Sequence, residues 1–191
     1  MRPLLRTGLT ADHLALGFQI SMLSVMPVAY IALGSNLGTR RALLDAAICM
    51  IDALPGTTIT RQATFRETQP VDAPPGSPAF LNSAIEIRTT IEPEALMREL
   101  LAIESDLGRR RGERNAPRVI DLDLLLYDDI ILRTELLTLP HPRMASRRFV
   151  LEPLAQIAPD AVHPETGRTI LDLFEELPLP PAAINTVEST K

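Results

Sequence analysis

The chain has 191 residues and a mass of 21.0 kDa, enough for one domain that hides roughly 70% of the surface its unfolded form exposes. Hydrophobic residues make up 46% and charged residues 23%, while a net charge of −5 and a pI near 5.2 exclude a general binder of nucleic acid or anionic membrane. The basic residues are nearly all arginine, 18 of 19, and the only lysine is the terminal Lys191, which excludes a phosphate-loop lysine, a Schiff base and a pyridoxal-phosphate anchor.

One cysteine, Cys49, rules out an intramolecular disulfide and a cysteine-rich zinc site, and its place in an apolar helical pattern predicts a small buried hydrophobe. His13, His141 and His163 are too dispersed for a local metal motif. No apolar run reaches the roughly 18 residues needed to span a bilayer. Residues 1–25 show no firm periodicity. Arg2, Arg6 and the run Leu14 to Val25 faintly resemble a secretory signal, but Asp12 and His13 interrupt it and no small-residue cleavage site follows.

From Met26 the pattern sharpens. Pro27 to Leu33 predicts a strand that ends at Gly34-Ser35-Asn36. Thr39 predicts an N-cap, followed by a helix with an apolar stripe at Leu43, Leu44, Ala47, Ile48, Ile51 and Leu54, stopped by Pro55-Gly56. Thr57 to Arg66 reads as one strand, and Gln69 to Ala79, with four prolines and a glycine, as a loop. Phe80 to Thr90 alternates as a strand. Pro93 opens a second helix whose Leu96, Leu100, Ile103 and Leu107 share a face before Gly108 ends it. Val119 to Tyr127 is a mostly aliphatic strand, Ile130 to Leu139 short paired strands, and Arg147 to Ile157 a short helix before Pro159. The 17 prolines are expected between periodic segments. Strand, helix, strand, strand, helix, strand is the order of a ferredoxin-like α+β domain, an antiparallel sheet covered by helices in αβα layers. GxGxxG and Walker A sequences are absent, and Gly34 to Gly38 by itself reads as a plain strand-to-helix turn.

The charge bunches at one place. Residues 109–118 hold five arginines against one glutamate, and Asp121 and Asp123 follow at once in an aliphatic run. Side chains at i and i+2 of a strand share a face, and two ionised carboxylates that close repel unless a cation lies between them. Oxygen ligands favour a hard ion, and guanidinium forks match phosphate oxygens in pairs. An Asp-x-Asp is more often a solvated strand face. Here the aliphatic run, which predicts a central, covered strand, and the neighbouring arginines favour carboxylates for a metal beside arginines for phosphates, the parts of a phosphoryl-transfer site.

Arg114-Asn-Ala-Pro-Arg118-Val-Ile-Asp121-Leu-Asp123-Leu-Leu125 satisfies every element of a known family pattern. Val28 to Leu37, Phe80-Leu-Asn82, Ile103-Glu104 through Gly108-Arg109, Leu139-Pro-His141-Pro and Arg147-Arg-Phe149-Val-Leu agree with it. The chain resembles the 6-hydroxymethyl-7,8-dihydropterin pyrophosphokinases of folate biosynthesis over residues 26 to about 160. The resemblance implies transfer of a diphosphate from ATP to the pterin hydroxymethyl group, with AMP released. It implies two magnesium ions on Asp121 and Asp123, and catalytic charge stabilisation by Arg109 and Arg118. It also implies ATP contacts at Glu104, Arg111, Arg118, Leu124, Thr138, His141 and Arg147, and a pterin pocket of Thr68, Val71, Phe80, Asn82 and Phe149. It departs from the family at Gly112, Asn115 and Pro142, and the loop around Gly108 and Gly112 is expected to act as a lid.

Residues 26–177 are therefore expected to be the catalytic domain. Residues 1–25 are read as an extension, disordered or arising from an upstream start codon, and 178–191 as a flexible tail. The expected setting is cytoplasmic, with a monomer acting on small molecules. The rival reading, a ferredoxin-like RNA-binding module, needs stacked aromatics and a basic face, where this chain has two aspartates and an acidic balance. A catalytically dead scaffold is disfavoured by the intact acids and arginines.

Overall fold

The structure is a computed structural model describing residues 26–69, 76, 78–109 and 118–178. Its main sheet contains β1 (Val28–Ser35), β2 (Thr57–Gln62), β3 (Arg66–Thr68), β4 (Phe80–Thr89) and β5 (Asp121–Tyr127). The order is β2-β4-β1-β5, with β3 also pairing β4, and every pairing is antiparallel. Helices α1 (Arg40–Asp52) and α2 (Pro93–Asp106) follow β1 and β4. After β5 come a small ladder, β6 (Leu132–Arg133) with β7 (Thr138–Leu139), a 3-10 turn at Met144–Ser146, α3 (Arg148–Ile157) and α4 (Ile170–Glu176). This is the expected α+β architecture. No helix among the described residues is long and apolar enough to cross a membrane.

Strand alternation builds two cores. Ala29, Ile31, Leu33, Ile85, Ile87, Leu122 and Leu124 pack with Leu44, Ala47, Ile51, Leu96, Leu100 and Ile103 of α1 and α2. On the opposite face Ala84 and Leu126 pack with Val150, Leu151, Leu154 and Leu173 of α3 and α4. The sheet is thus covered on both sides. Leu100 is fully buried, so Leu100→Ala is expected to cost about 2–5 kcal/mol; the midpoint of urea unfolding measures it.

A bulge on β5 is decisive for the site. The register against β1 passes from Leu126 opposite Tyr30 to Leu124 opposite Ile31, so Leu125 has no partner of its own. Without that extra residue a strand keeps one alternation along its length. With it, Leu125 and Leu126 both face α3, while Asp121 and Asp123 at the other end reach the same side.

Four expectations need correction. Cys49 is exposed, because at 100° per residue it lies off the stripe of Leu44, Ala47 and Ile51. Thr39 precedes α1 but its hydroxyl makes no capping bond. The strand expected over 57–66 breaks, since Thr64 N–H turns out of the ladder and donates to Gln156 Oε1 of α3 at 2.7 Å. Pro153 lies inside α3, where it is buried, and the missing N–H removes one rung of the helix. By contrast Pro93 stands at the start of α2, and Gly108 follows its C-cap at φ +90, a conformation glycine adopts without strain. Helix α4 has no counterpart in the periodicity reading, although Thr169 and Asp172 form a reciprocal capping box at its start.

Candidate active site

Asp121 and Asp123 open β5 at the edge of the sheet rather than on the expected central strand, its aliphatic run being covered by helices on both faces. The outward backbone groups of an edge strand must be satisfied from elsewhere. Glu104 of α2 does this from one side. Its Oε1 accepts the Leu122 N–H at 2.7 Å. The same oxygen accepts a short bond from Arg109 Nη1, which also donates to Asp121 Oδ1 at 2.7 Å. Arg118 Nη1 reaches that Asp121 oxygen as well, at 2.8 Å. One carboxylate thus gathers two guanidinium groups, and a second ties that of Arg109 to the backbone of β5. Burial pushes the Glu104 carboxyl up to about 7, against the opposing pull of the Leu122 N–H and Arg109.

The turn after β1 holds the other end. Ser35 Oγ donates to the Val119 carbonyl at 2.6 Å, and Asn36 Oδ1 accepts the Arg118 N–H at 2.7 Å. The Asn36 N–H returns to the Arg118 carbonyl at 3.1 Å. Both side chains are buried. A turn that reads in sequence as a plain connection therefore clamps Arg118 beside Asp121. Buried polar side chains bonded to a distant backbone are the signal, and they are visible only once the chain is folded.

Asp123 points to the same side. Its carboxyl is pushed above the usual range by burial and then by the Asp121 charge. His141 Nε2 lies 3.9 Å from Asp123 Oδ2. The Arg143 N–H donates to His141 Nδ1 at 3.3 Å, and this assigns the ring proton to Nε2, facing the carboxylate. Burial lowers the His141 pKa, which keeps the imidazole in this neutral, single-donor form. Arg147, just before α3, carries its guanidinium 5.5 Å over the Phe149 ring.

Strand β4 builds the adjoining wall. Thr68 of β3 pairs with Phe80, and Asn82 Nδ2 donates to Thr68 Oγ1 at 2.7 Å. Opposite Asn82 on β1 is Gly34, where an added Cβ would stand 3.1 Å from Asn82 Oδ1, so glycine leaves the amide carbonyl its space. One pocket is lined by Thr68, Phe80, Asn82, Arg118, Asp121, Asp123, Arg147 and Phe149 together. Eight residues nominated from sequence, spread over more than 80 positions, thus share one cavity.

Others do not reach it. Leu124 is buried in the core against α1 and α2, on the opposite face of the sheet, because it alternates with Asp123. Glu104, Arg109, Thr138 and His141 do not line the pocket; Arg109 and His141 lie against its Asp121 and Asp123, and Glu104 acts on it through Arg109. Val71, Arg111, Gly112 and Asn115 lie outside the described residues, as do 1–25 and 179–191. Sequence reasoning did not nominate Arg143, Gln69 and Ser83, which also line the pocket.

The sequence profile described as "7,8-dihydro-6-hydroxymethylpterin-pyrophosphokinase (HPPK)" matches residues 30–159. The chain belongs to this family. A pyrophosphokinase of Methylorubrum extorquens is 40% identical over 168 residues, covering 85% of this chain and 100% of the relative. One from Bacillus subtilis is 44% identical, covering 68% and 77% respectively, and one from Synechocystis is 39% identical, covering 78% and 75%. In other members the HPPK unit is part of a longer protein. The chain spans 20% of the "Folic acid synthesis protein fol1" of Schizosaccharomyces pombe. A solved HPPK-DHPS structure superposes with a TM-score of 0.63 at 15% identity, covering 78% of this chain and 43% of that one, which places the fold. The HPPK match covers all of the described site, from Gly34 to Phe149.

Proposed function

We propose that this chain binds 6-hydroxymethyl-7,8-dihydropterin and ATP in the pocket between β5, β4 and α3, and moves the terminal diphosphate of ATP onto the hydroxymethyl oxygen. The observation that carries the reading is the meeting of an acid pair with a half-buried aromatic pair and a buried amide in one cavity. The new bond joins the hydroxymethyl oxygen to the β-phosphorus. The bond from that phosphorus to the oxygen bridging the α- and β-phosphates breaks, AMP leaves with its electron pair, and the hydroxyl proton is released.

The donor set fits magnesium. Asp121 and Asp123 offer only oxygen, they share a face, and the Asp121 charge raises the cost of charging Asp123. Among the described residues no cluster of three or more His, Cys, Asp and Glu is positioned to hold a metal, so two carboxylates would leave the remaining positions to phosphate and water, as magnesium commonly does. We assign Asp121 and Asp123 as the holders of two ions. Magnesium, when bound, supplies charge neutralisation and alignment of the phosphate oxygens.

The chain's own residues do the rest. Phe80 and Phe149 offer flat faces to a planar heterocycle, and Asn82, oriented by Thr68, presents a donor and an acceptor to its edge. Val71 belongs to the same wall by its place in the family pattern. Arg109 and Arg118 share Asp121 in the ligand-free protein and are placed to pass to the phosphate oxygens as charge develops there. Glu104 keeps Arg109 oriented through that exchange. His141 presents Nε2–H, and Arg147 a guanidinium, to the triphosphate, while Arg111 and Thr138 complete the ATP side by their places in the family pattern.

Such a reaction suits a cytoplasmic enzyme working as a single chain. The RNA-binding alternative finds no support on this face, where Asp121 and Asp123 would repel a phosphate backbone. AMP release from Mg-ATP, measured with and without hydroxymethyl-dihydropterin, tests the assignment. One AMP per pterin consumed is expected. Absence of pterin-dependent AMP would overturn it.

A further inference from the structure

The arginines around the pocket are not equivalent. Arg109 and Arg118 are held by Asp121 at 2.7 and 2.8 Å. Arg143 and Arg147 have no carboxylate within 4.0 Å among the described residues, although both line the pocket with Asp121 and Asp123. Arg147 has the Phe149 ring beneath it. Among the described residues no bond from the Arg143 guanidinium is present.

Its backbone is nevertheless anchored. The Arg143 N–H is committed to His141 Nδ1, its carbonyl accepts the Ser146 hydroxyl at 3.1 Å, and the next residue, Met144, is fully buried. An exposed guanidinium on an anchored turn at the mouth of a pocket is a poor structural element, since it secures nothing. It also places like charge beside like charge. After burial, the Arg143 charge is the next cause that lowers the Arg147 pKa, and Arg143 opposes a charged His141 as well. Two unpaired guanidinium groups converging on one cavity repel each other until a polyanion enters, and their forks fit phosphate oxygens.

We propose that Arg143 is a further phosphate-binding residue of this site, engaging the phosphate chain of ATP beside Arg147. The inference rests on the pyrophosphokinase reading and adds a residue to it. The side chain binds, while the backbone N–H of the same residue orients His141, so a substitution separates the two tasks.

The test is calorimetric titration of wild type, Arg143→Gln and Arg143→Lys with Mg and α,β-methylene-ATP, whose bridge cannot be cleaved, and separately with hydroxymethyl-dihydropterin. Arg143→Gln is expected to weaken analogue binding about tenfold. Arg143→Lys should recover most of that loss, because the charge remains. Pterin affinity should stay within about twofold and the Tm should not change, since the guanidinium packs against nothing. In about 1 M salt, where screening acts over about 3 Å, the gap between wild type and Arg143→Gln should narrow. Unchanged analogue affinity in Arg143→Gln would overturn this inference alone, and so would equal losses of analogue and pterin binding with a lower Tm. Wild type that binds neither ligand would overturn the pyrophosphokinase reading, and this inference with it.

Discussion

Asp123→Asn is expected to lower pterin-dependent AMP release by at least about a thousandfold while leaving the fold intact. Removal of a single preorganised electrostatic partner commonly costs 10²–10³ in rate. Asp123 is one of the two carboxylates proposed to hold the metal, so its loss removes half of that proposed donor pair. The neighbouring pairings point the same way on stability. Among the described residues Asp123 pairs only at long range, 3.9 Å from His141, and its half-buried carboxylate stands beside the Asp121 charge. An amide of the same shape removes that repulsion, so the Tm of the ligand-free protein should stay the same or rise. Asp121→Asn should lose activity just as severely but with a lower Tm, because Arg109 and Arg118 both lose their shared counter-charge. Steady-state AMP assays and thermal melts on the two variants check this. Activity within about tenfold of wild type in either would remove the metal role.

Asn82→Ala should weaken pterin binding about a hundredfold without changing affinity for Mg and α,β-methylene-ATP. Asn82 is 6% exposed, and its amide is fixed from two sides, by the bond to Thr68 Oγ1 and by the space left at Gly34. A substrate edge that loses its partner in such a place keeps the full cost of leaving water, about 1–3 kcal/mol per unpaired group. Sites built around hydrogen bonds discriminate strongly for this reason. Asn82→Asp replaces the amide donor by an acceptor and should be at least as damaging. Fluorescence titration with the pterin measures both variants. Wild-type affinity in Asn82→Ala would show that the amide does not read the heterocycle.

What was legible depended on how local the cause is. Helices α1 and α2 follow from a 3.6-residue apolar period, and Pro93 and Gly108 mark the ends of α2 by backbone geometry alone. The acid pair was legible because alternation places i and i+2 on one face whatever surrounds the strand. Leu124 was misplaced against the same rule, since its nomination came from a family pattern rather than from its position in the strand. Beyond Leu124 the run is aliphatic at every position, and the bulge at Leu125 that changes faces leaves no trace in composition. The break between β2 and β3 depends on Gln156, more than 90 residues away. Pro153 was unexpected because its ring is stabilised by burial against other elements.

By itself the sequence determined the order of the main strands and helices up to Ile157, the absence of lysine chemistry and the aspartate pair. These rest on residue type, period and spacing, all properties of a segment and its neighbours, whereas Phe80, Asn82 and Phe149 were nominated by the resemblance to the family. Only the tertiary structure decided that Ser35 and Asn36 clamp the return of the arginine segment, that Glu104 holds Arg109 to Asp121, and that Arg143 stands unpaired at the pocket. Each of these depends on which carboxylate or carbonyl a folded chain brings within 3 or 4 Å. Charge bunched in sequence predicts an anion site; the partners taken by each guanidinium decide which of them would remain for the anion.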